Sequence, residues 1–288
     1  MTDLAAYYYP DVDADDLALG YDLMGWFFLF DDQFTVPTGQ YPVAAVADCR
    51  EMIRLALASS ATTGPETTPL VVAFADVWTR MSIGMSPQWR AQTTRDILDY
   101  LWANLTEVAD ARANTHLTPA EYLQLRRKTI GVRISLATGE RVGHFEVPAL
   151  ARSSSLLERM RLIAIDHTIL TNEVHSLDKE EAAGEPNLIL MHMRDQQLSR
   201  TQAISQTVKE ADNTAQRFRD HERQIPQLCT DLALSTADRA AVRSYVDVMR
   251  ALIRGHYDWS RTAGRYSPQA KPLIAATQTG ISRTGDAS

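Results

Sequence analysis

Apolar positions recur at spacings of three and four along nearly the whole chain, and few segments alternate strictly, so the pattern predicts an all-α fold. The first helix follows an N-cap and acidic turn at Asp13 to Asp16. It carries Leu17, Leu19, Leu23 and Met24, then becomes apolar on nearly every side through Trp26-Phe27-Phe28-Leu29-Phe30, which places its end in the core. Pro37 and Gly39 mark the loop after it. Further helices are predicted over 44–61, 70–81 and 88–110. Thr118-Pro119-Ala120-Glu121 opens another, with proline at the first helical position and breaks at Thr138-Gly139 and Gly143. Ser153-Ser154-Ser155 opens a long helix ending near residue 181, followed by helices over 187–195, 200–224 and 236–262. Residues 1–266 read as one helical unit, and 267–288, rich in Gly, Pro, Ser, Thr and Gln, as a frayed tail.

The long helix is where chemistry first shows. Asn172, Ser176 and Glu180 fall at i, i+4 and i+8, so an amide oxygen, a hydroxyl and a carboxylate stack on one face at about 6 Å per step. Oxygen-only, hard donors suit Mg²⁺, which shares its remaining positions with water and phosphate. Lys179 lies beside the carboxylate, within reach of the same phosphate. The same triplet is also what a solvated helix face looks like. Asp31 and Asp32 form a second acidic pair at the C-terminal end of an apolar helix, where the helix dipole opposes negative charge and a cation is the natural partner. A basic set completes the pattern: Arg126 on the helix opened at Thr118, and Arg261, Arg265 and Tyr266 closing the last helix. Guanidinium groups and a phenol are donors that bind diphosphate oxygens. Acids and neutral oxygens for metal, with cations for phosphate, inside an aromatic-rich helical body, imply metal-assisted departure of diphosphate from an apolar substrate.

Composition narrows the setting. The chain has 288 residues, 45% of them hydrophobic, enough for a sizeable core. The net charge of −7 argues against general affinity for nucleic acid or anionic membranes. Cys49 and Cys229 have neither metal-ligand spacing nor a disulfide framework, which points to a reducing compartment. With no basic-apolar leader and no 18-residue apolar run, the expected location is the cytoplasm.

The motifs together resemble those of bacterial class I terpene cyclases. Asp31-Asp32-Gln33-Phe34-Thr35, preceded by Trp26-Phe27-Phe28-Leu29-Phe30, is similar to the family's aspartate-rich motif. Asn172-Glu173-Val174-His175-Ser176-Leu177-Asp178-Lys179-Glu180 is similar to its second, NSE-type metal motif; Arg126 stands at the diphosphate-sensor position, and Arg265-Tyr266 resembles the C-terminal Arg-Tyr pair. The resemblance implies a single-domain helical bundle around a central apolar cavity. It implies three Mg²⁺ ions, with Asp31, seconded by Asp32, serving two of them and Asn172, Ser176 and Glu180 the third. It implies diphosphate binding by Arg126, Lys179, Arg265 and Tyr266, with Thr129, Ile130 and Gly131 coupling the sensor to ionisation through a helix break. Phe27, Phe28 and Trp259 are then the candidates to steady carbocations. The expected reaction is cyclisation of farnesyl diphosphate to a sesquiterpene hydrocarbon or alcohol, with geranyl and geranylgeranyl diphosphate as alternative substrates and a homodimer as the implied assembly.

Two departures stand out. Thr35 occupies the position where the aspartate-rich motif usually ends in a third acid. The chain also begins almost at the aspartate-rich helix, which predicts a bundle without the usual N-terminal helices and a cavity closed differently. A prenyl-chain elongase of the same fold would carry a second aspartate-rich motif, where this chain has Asn, Ser and Glu. An inactive diphosphate-binding protein of this fold differs from a cyclase in making no product.

Overall fold

A computed structural model of the chain describes residues 2–34, 43–58, 63–64 and 66–266. Thr35 and the tail 267–288 lie outside the described residues. Among the described residues there are thirteen α-helices, one 3-10 turn and no strand, as the periodicity predicts. No described helix is long and apolar enough to cross a membrane.

The organising element is α9, Ser155–Ala183, about 43 Å long at 1.5 Å per residue. The Ser154 side chain caps its first turn by accepting from the Leu157 N–H, and Gly184 at φ 69° ends it in the left-handed conformation that glycine adopts without a Cβ penalty. Its first half, with Leu157, Met160, Ala164, Ile165 and Ile169 fully buried, forms the centre of the core. Each such aliphatic side chain contributes about 1.5–3 kcal/mol relative to exposure. Around α9 pack α6 (Pro119–Thr129), α7 (Val132–Val142), α10 (Leu188–Gln196), α11 (Arg200–Glu222) and α13 (Thr236–Ser260).

Helix α2 (Ala14–Asp32) starts where expected, with Asp13 accepting from the Asp16 N–H. It packs on α4 (Pro69–Ser82) and α7. Helices α3 (Val43–Leu57) and α5 (Pro87–Ala113) complete that side. The short α8 (Ala149–Arg152) and α12 (Ile225–Asp231) have no counterpart in the periodicity, being too brief to establish one.

Three expectations need correction. The helix opened at Thr118 does not run to Thr138: it ends at Thr129, and the break falls at Gly131, φ 73°, which N-caps α7. Thr138-Gly139 is continuous helix, because a side chain at 139 would collide with Val248 and the missing Cβ lets α13 lie close. Arg265 and Tyr266 are not on the last helix, which stops at Ser260, but on a 3-10 turn, Gly264–Tyr266. The third concerns the start. Residues Leu4–Tyr8 form a helix, α1, that packs along α13 and α2. The Tyr9 hydroxyl donates to the Ser135 carbonyl at 2.7 Å, Trp259 Nε1 donates to Asp3 at 3.1 Å, and the Tyr8 hydroxyl meets His256 Nδ1 at 2.9 Å.

Candidate active site

A cavity of about 570 Å³ opens between the C-terminal end of α2, the second half of α9, and segments of α5, α6, α10 and α13. That volume falls within the range of small-molecule sites. One wall is apolar: Leu4, Met24, Phe27, Phe28, Ile130 and Trp259. The other carries Asp31, Asn172, Ser176 and Glu180 with Arg126, Lys179, Arg265 and Tyr266. Thus the structure brings the acidic, neutral-oxygen and basic sets to one place, although Asp31 and Arg265 lie 234 residues apart in the chain.

Asp31 and Asp32 are separated by the helix rotation of one residue. Asp31 faces the cavity with its side chain 58% exposed, whereas Asp32 is buried and absent from the cavity wall. Arg265 joins them, Nη2 at 2.6 Å from Asp31 and Nη1 at 3.1 Å from Asp32. Burial works against the Arg265 charge, yet the two aspartates hold the guanidinium more firmly protonated than usual. Its carbon also lies 4.7 Å from the centroid of Phe28, on which Trp259 stacks at 5.7 Å. Phe27 is freer: its ring meets Tyr100 edge-on at 5.3 Å and lies over Gly131, where a Cβ would be 3.0 Å from the ring.

On α9 the predicted stack is present. Asn172 accepts from Arg126 at 3.0 Å and donates to the Tyr266 hydroxyl at 3.0 Å. Ser176 donates to the Asn172 carbonyl at 2.7 Å, which leaves its oxygen lone pairs available. Glu180 accepts from Asn187 at 2.7 Å. Asp31 from α2 and Asn172, Ser176 and Glu180 from α9 are all hard oxygens lining the cavity, a donor set whose chemistry fits a hard divalent cation.

Arg126 uses all three guanidinium nitrogens. Nε donates to Glu173 at 3.3 Å, Nη1 to Thr129 at 3.3 Å, and Nη2 to Asn172. Burial opposes its charge, but Tyr122, Glu173, Glu107 and Glu180 around it keep it protonated. Thr129 passes the contact on, donating to Glu107 at 3.1 Å. Burial pushes the Glu107 carboxyl up to about 7 against the pull of Arg126. The Ile130 N–H returns to the Arg126 carbonyl, and the chain then turns through Gly131.

Several residues here escape a reading of periodicity. Glu173 is fully buried and also accepts from the Tyr122 hydroxyl at 3.2 Å and the Leu188 N–H at 2.7 Å. Burial pushes its carboxyl up and Arg126 draws it back. Asn187, the N-cap of α10, bridges the Glu173 carbonyl and Glu180. Glu173 lies within the NSE-type stretch but off its i, i+4, i+8 face, so the spacing assigns it no role, and Glu107 carries no sequence signal. Arg261, by contrast, is exposed over the Tyr257 ring and takes no part in the cavity wall.

The family described as "Terpene synthase family 2, C-terminal metal binding" has a model that matches residues 22–217, more than half of the chain. Pentalenene synthase of Streptomyces exfoliatus is 36% identical, the alignment covering 93% of this chain and 79% of that protein. A protein of Streptomyces viridochromogenes named 7-epi-alpha-eudesmol synthase ((2E,6E)-farnesyl diphosphate cyclizing) is 33% identical, covering 95% and 81%. The crystal structure of linalool/nerolidol synthase from Streptomyces clavuligerus in complex with 2-fluorogeranyl diphosphate superposes with a TM-score of 0.84 at 36% identity, covering 91% of this chain and 86% of that one.

Proposed function

This chain belongs to terpene synthase family 2 and is a metal-binding terpene synthase, a lyase of prenyl diphosphates, and we propose that it ionises farnesyl diphosphate with Mg²⁺ and cyclises the resulting cation to a sesquiterpene. One observation carries this reading: a single cavity sets hard oxygens and cations against an aromatic wall. The eudesmol synthase relative is named for farnesyl diphosphate, which favours the fifteen-carbon substrate. The structural neighbour holding a fluorinated geranyl diphosphate keeps the ten-carbon substrate as the second reading.

Asp31 on one side, and Asn172, Ser176 and Glu180 on the other, would hold the three Mg²⁺ ions, with Asp32 supporting Asp31 through Arg265. When bound, the ions supply charge stabilisation to the departing diphosphate. Arg126, Lys179, Arg265 and Tyr266 bind and orient the diphosphate oxygens. Thr129, Ile130 and Gly131 tie Arg126 to the helix break beneath Phe27, so a shift of the sensor reaches the apolar wall. The carbon–oxygen bond breaks with both electrons leaving on diphosphate. The allylic cation then folds within the apolar wall, where water is excluded. Phe27, Phe28 and Trp259 stabilise migrating charge by about 0.5–2 kcal/mol each. Residues 1–266 act as one catalytic unit, present in the cytoplasm as a homodimer.

The test is incubation of purified protein with geranyl, farnesyl and geranylgeranyl diphosphates, with and without Mg²⁺, read by gas chromatography–mass spectrometry. A Mg²⁺-dependent cyclic product from farnesyl diphosphate is expected. Cyclic product from another chain length alone would move the assignment to that substrate; none from any of them would leave a diphosphate-binding protein.

A further inference from the structure

Residues 184–187 turn the chain back along α9, and each step is fastened. Gly184 takes the left-handed conformation, the Glu185 N–H donates to the Glu180 carbonyl at 2.8 Å, and the Pro186 carbonyl accepts from the Tyr122 hydroxyl at 3.2 Å. Asn187 is thereby set, fully buried, between Glu173 and Glu180. Its Nδ2 donates to the Glu180 carboxylate at 2.7 Å and to the Glu173 carbonyl at 2.9 Å, while its Oδ1 accepts from the Ile189 N–H at 2.8 Å. Two donated bonds and one accepted bond allow the amide a single orientation. The next backbone N–H, that of Leu188, donates to the Glu173 carboxylate at 2.7 Å. Consecutive residues at the start of α10 therefore grip Glu180 of the oxygen stack and Glu173, the counter-ion of Arg126.

Capping alone does not call for asparagine. Aspartate, serine and threonine cap helices about as well, and the cap of α10 uses only Oδ1. Aspartate at this position would set a carboxylate against the Glu180 carboxylate and the Glu173 carbonyl, and like charges in contact repel. A serine or threonine hydroxyl has one hydrogen to offer where two acceptors wait. What distinguishes asparagine is its pair of N–H donors, and one of them goes to Glu180. A glutamate side chain gives up much rotamer freedom when it is held in one place. Here the amide holds Oε2 and leaves Oε1 without a partner among the described residues, on a side chain that lines the cavity with Asn172 and Ser176.

We propose that Asn187 is a positioning residue of the metal site: its amide fixes the Glu180 carboxylate on the α9 face shared with Asn172 and Ser176, and so sets the affinity for the divalent ion. Hydrogen-bonding partners that orient a metal ligand typically change metal affinity by about 10–100-fold when removed. The assignment rests on the metal-dependent reading of Glu180 above.

The full chain is compared with Asn187→Ser, with Glu180→Asp, and with the two changes combined. Serine keeps a capping oxygen for α10 and removes the donors to Glu180. Glu180→Asp keeps the charge but is one methylene too short to reach the amide. Mg²⁺ is titrated at a fixed concentration of inorganic diphosphate, and the Mg²⁺ concentration at half the rise in thermal midpoint is read. That concentration should be about 10–100-fold higher in Asn187→Ser than in the parent, and the same change should add less than about twofold in the Glu180→Asp background. Asn187→Thr, which also caps α10, should behave as Asn187→Ser does. With farnesyl diphosphate, the apparent KM for Mg²⁺ should rise by more than kcat falls. An unchanged half-point in both capping variants, or an equal rise in both backgrounds, overturns the assignment, the second outcome because it would mark a general loosening of the loop. A parent protein that shows no Mg²⁺-dependent rise instead removes the metal reading itself, and the positioning role falls with it.

Discussion

Arg265 holds Asp31 and Asp32 at once, 2.6 Å from the first carboxylate and 3.1 Å from the second, so the cation proposed to bind diphosphate is seated on the carboxylate proposed to bind metal. Arg126 stands in the same relation to Asn172. A metal ion arriving alone at Asp31 displaces one arm of the Arg265 guanidinium from its carboxylate. A diphosphate arriving alone draws the guanidinium away and leaves the Asp31 carboxylate without it. Arriving together, each accepts what the other releases. By linkage, inorganic diphosphate should raise the affinity for Mg²⁺, and Mg²⁺ that for diphosphate, by the same factor, about 5–150-fold. Titration calorimetry in both orders measures it, and Arg265→Gln should shrink the factor. Independent affinities would remove the exchange.

Glu180→Gln keeps the acceptor facing Asn187 but removes the carboxylate charge from the oxygen stack on α9. Turnover should drop by at least about 10²-fold, the scale seen when an electrostatic stabiliser of a transition state is removed. Rates near the parent's would take Glu180 out of the metal site.

Arg126→Ala removes the guanidinium that faces fully buried Glu173. Breaking a buried pair from one side costs about 3–5 kcal/mol. Urea unfolding should show that loss, and single-turnover ionisation should slow as well. The double variant Arg126→Ala with Glu173→Gln should recover stability but not ionisation, which separates the structural from the sensing contribution.

Glu107 gives a pH dependence whose sign is fixed. Its carboxyl is raised to about 7 in the folded protein, above the unfolded value near 4.3. Between those values the folded state holds a proton that the unfolded state has lost, so stability contributed by this group rises as pH falls through 7. The slope is at most about 1.4 kcal/mol per pH unit. Thermal midpoints from pH 7.5 to 5.5, compared with Glu107→Gln, isolate it; parallel curves for the two proteins would contradict the raised value.

Gly131→Ala places a Cβ 3.0 Å from the Phe27 ring on a residue at φ 73°. The left-handed backbone alone costs about 1–2 kcal/mol. Phe27→Ala should change the product ratio or release early products. An identical product profile would make Phe27 a packing residue only.

These sites were not equally legible in the chain. Asn172, Ser176 and Glu180 could be read because one helix carries them and helical spacing alone stacks them. Asp31 stood out as charge at the end of an apolar helix, yet the spacing gave no reason to separate it from Asp32, which a rotation of about 100° per residue turns into the core. Glu107, Glu173 and Asn187 come together from α5, α9 and the start of α10, and that depends on how helices pack rather than on any one helix. Periodicity put the break at Thr138-Gly139, where intrinsic helix preference is weak, whereas the resemblance implied a helix break beside Gly131, where α6 gives way to α7; at Gly139 the close approach of Val248 favours the residue without a Cβ. Helix α1 was missed because five residues establish no period.

That first helix bears on fidelity. Leu4 and Tyr8 are wall residues, and α1 is held by burial of Leu4, Ala5 and Tyr8 against α13 and α2 and by side-chain ties from Asp3, Tyr8 and Tyr9 to Trp259, His256 and Ser135. A helix of little more than one turn opens at a lower free energy than the long helices it rests on. Each opening uncovers the hydrocarbon chamber to bulk solvent while the oxygens of α2 and α9 stay in register. On warming, the enzyme should therefore begin to make hydroxylated by-products before it melts, so its product mixture works as a thermometer for the loosening of its first ten residues.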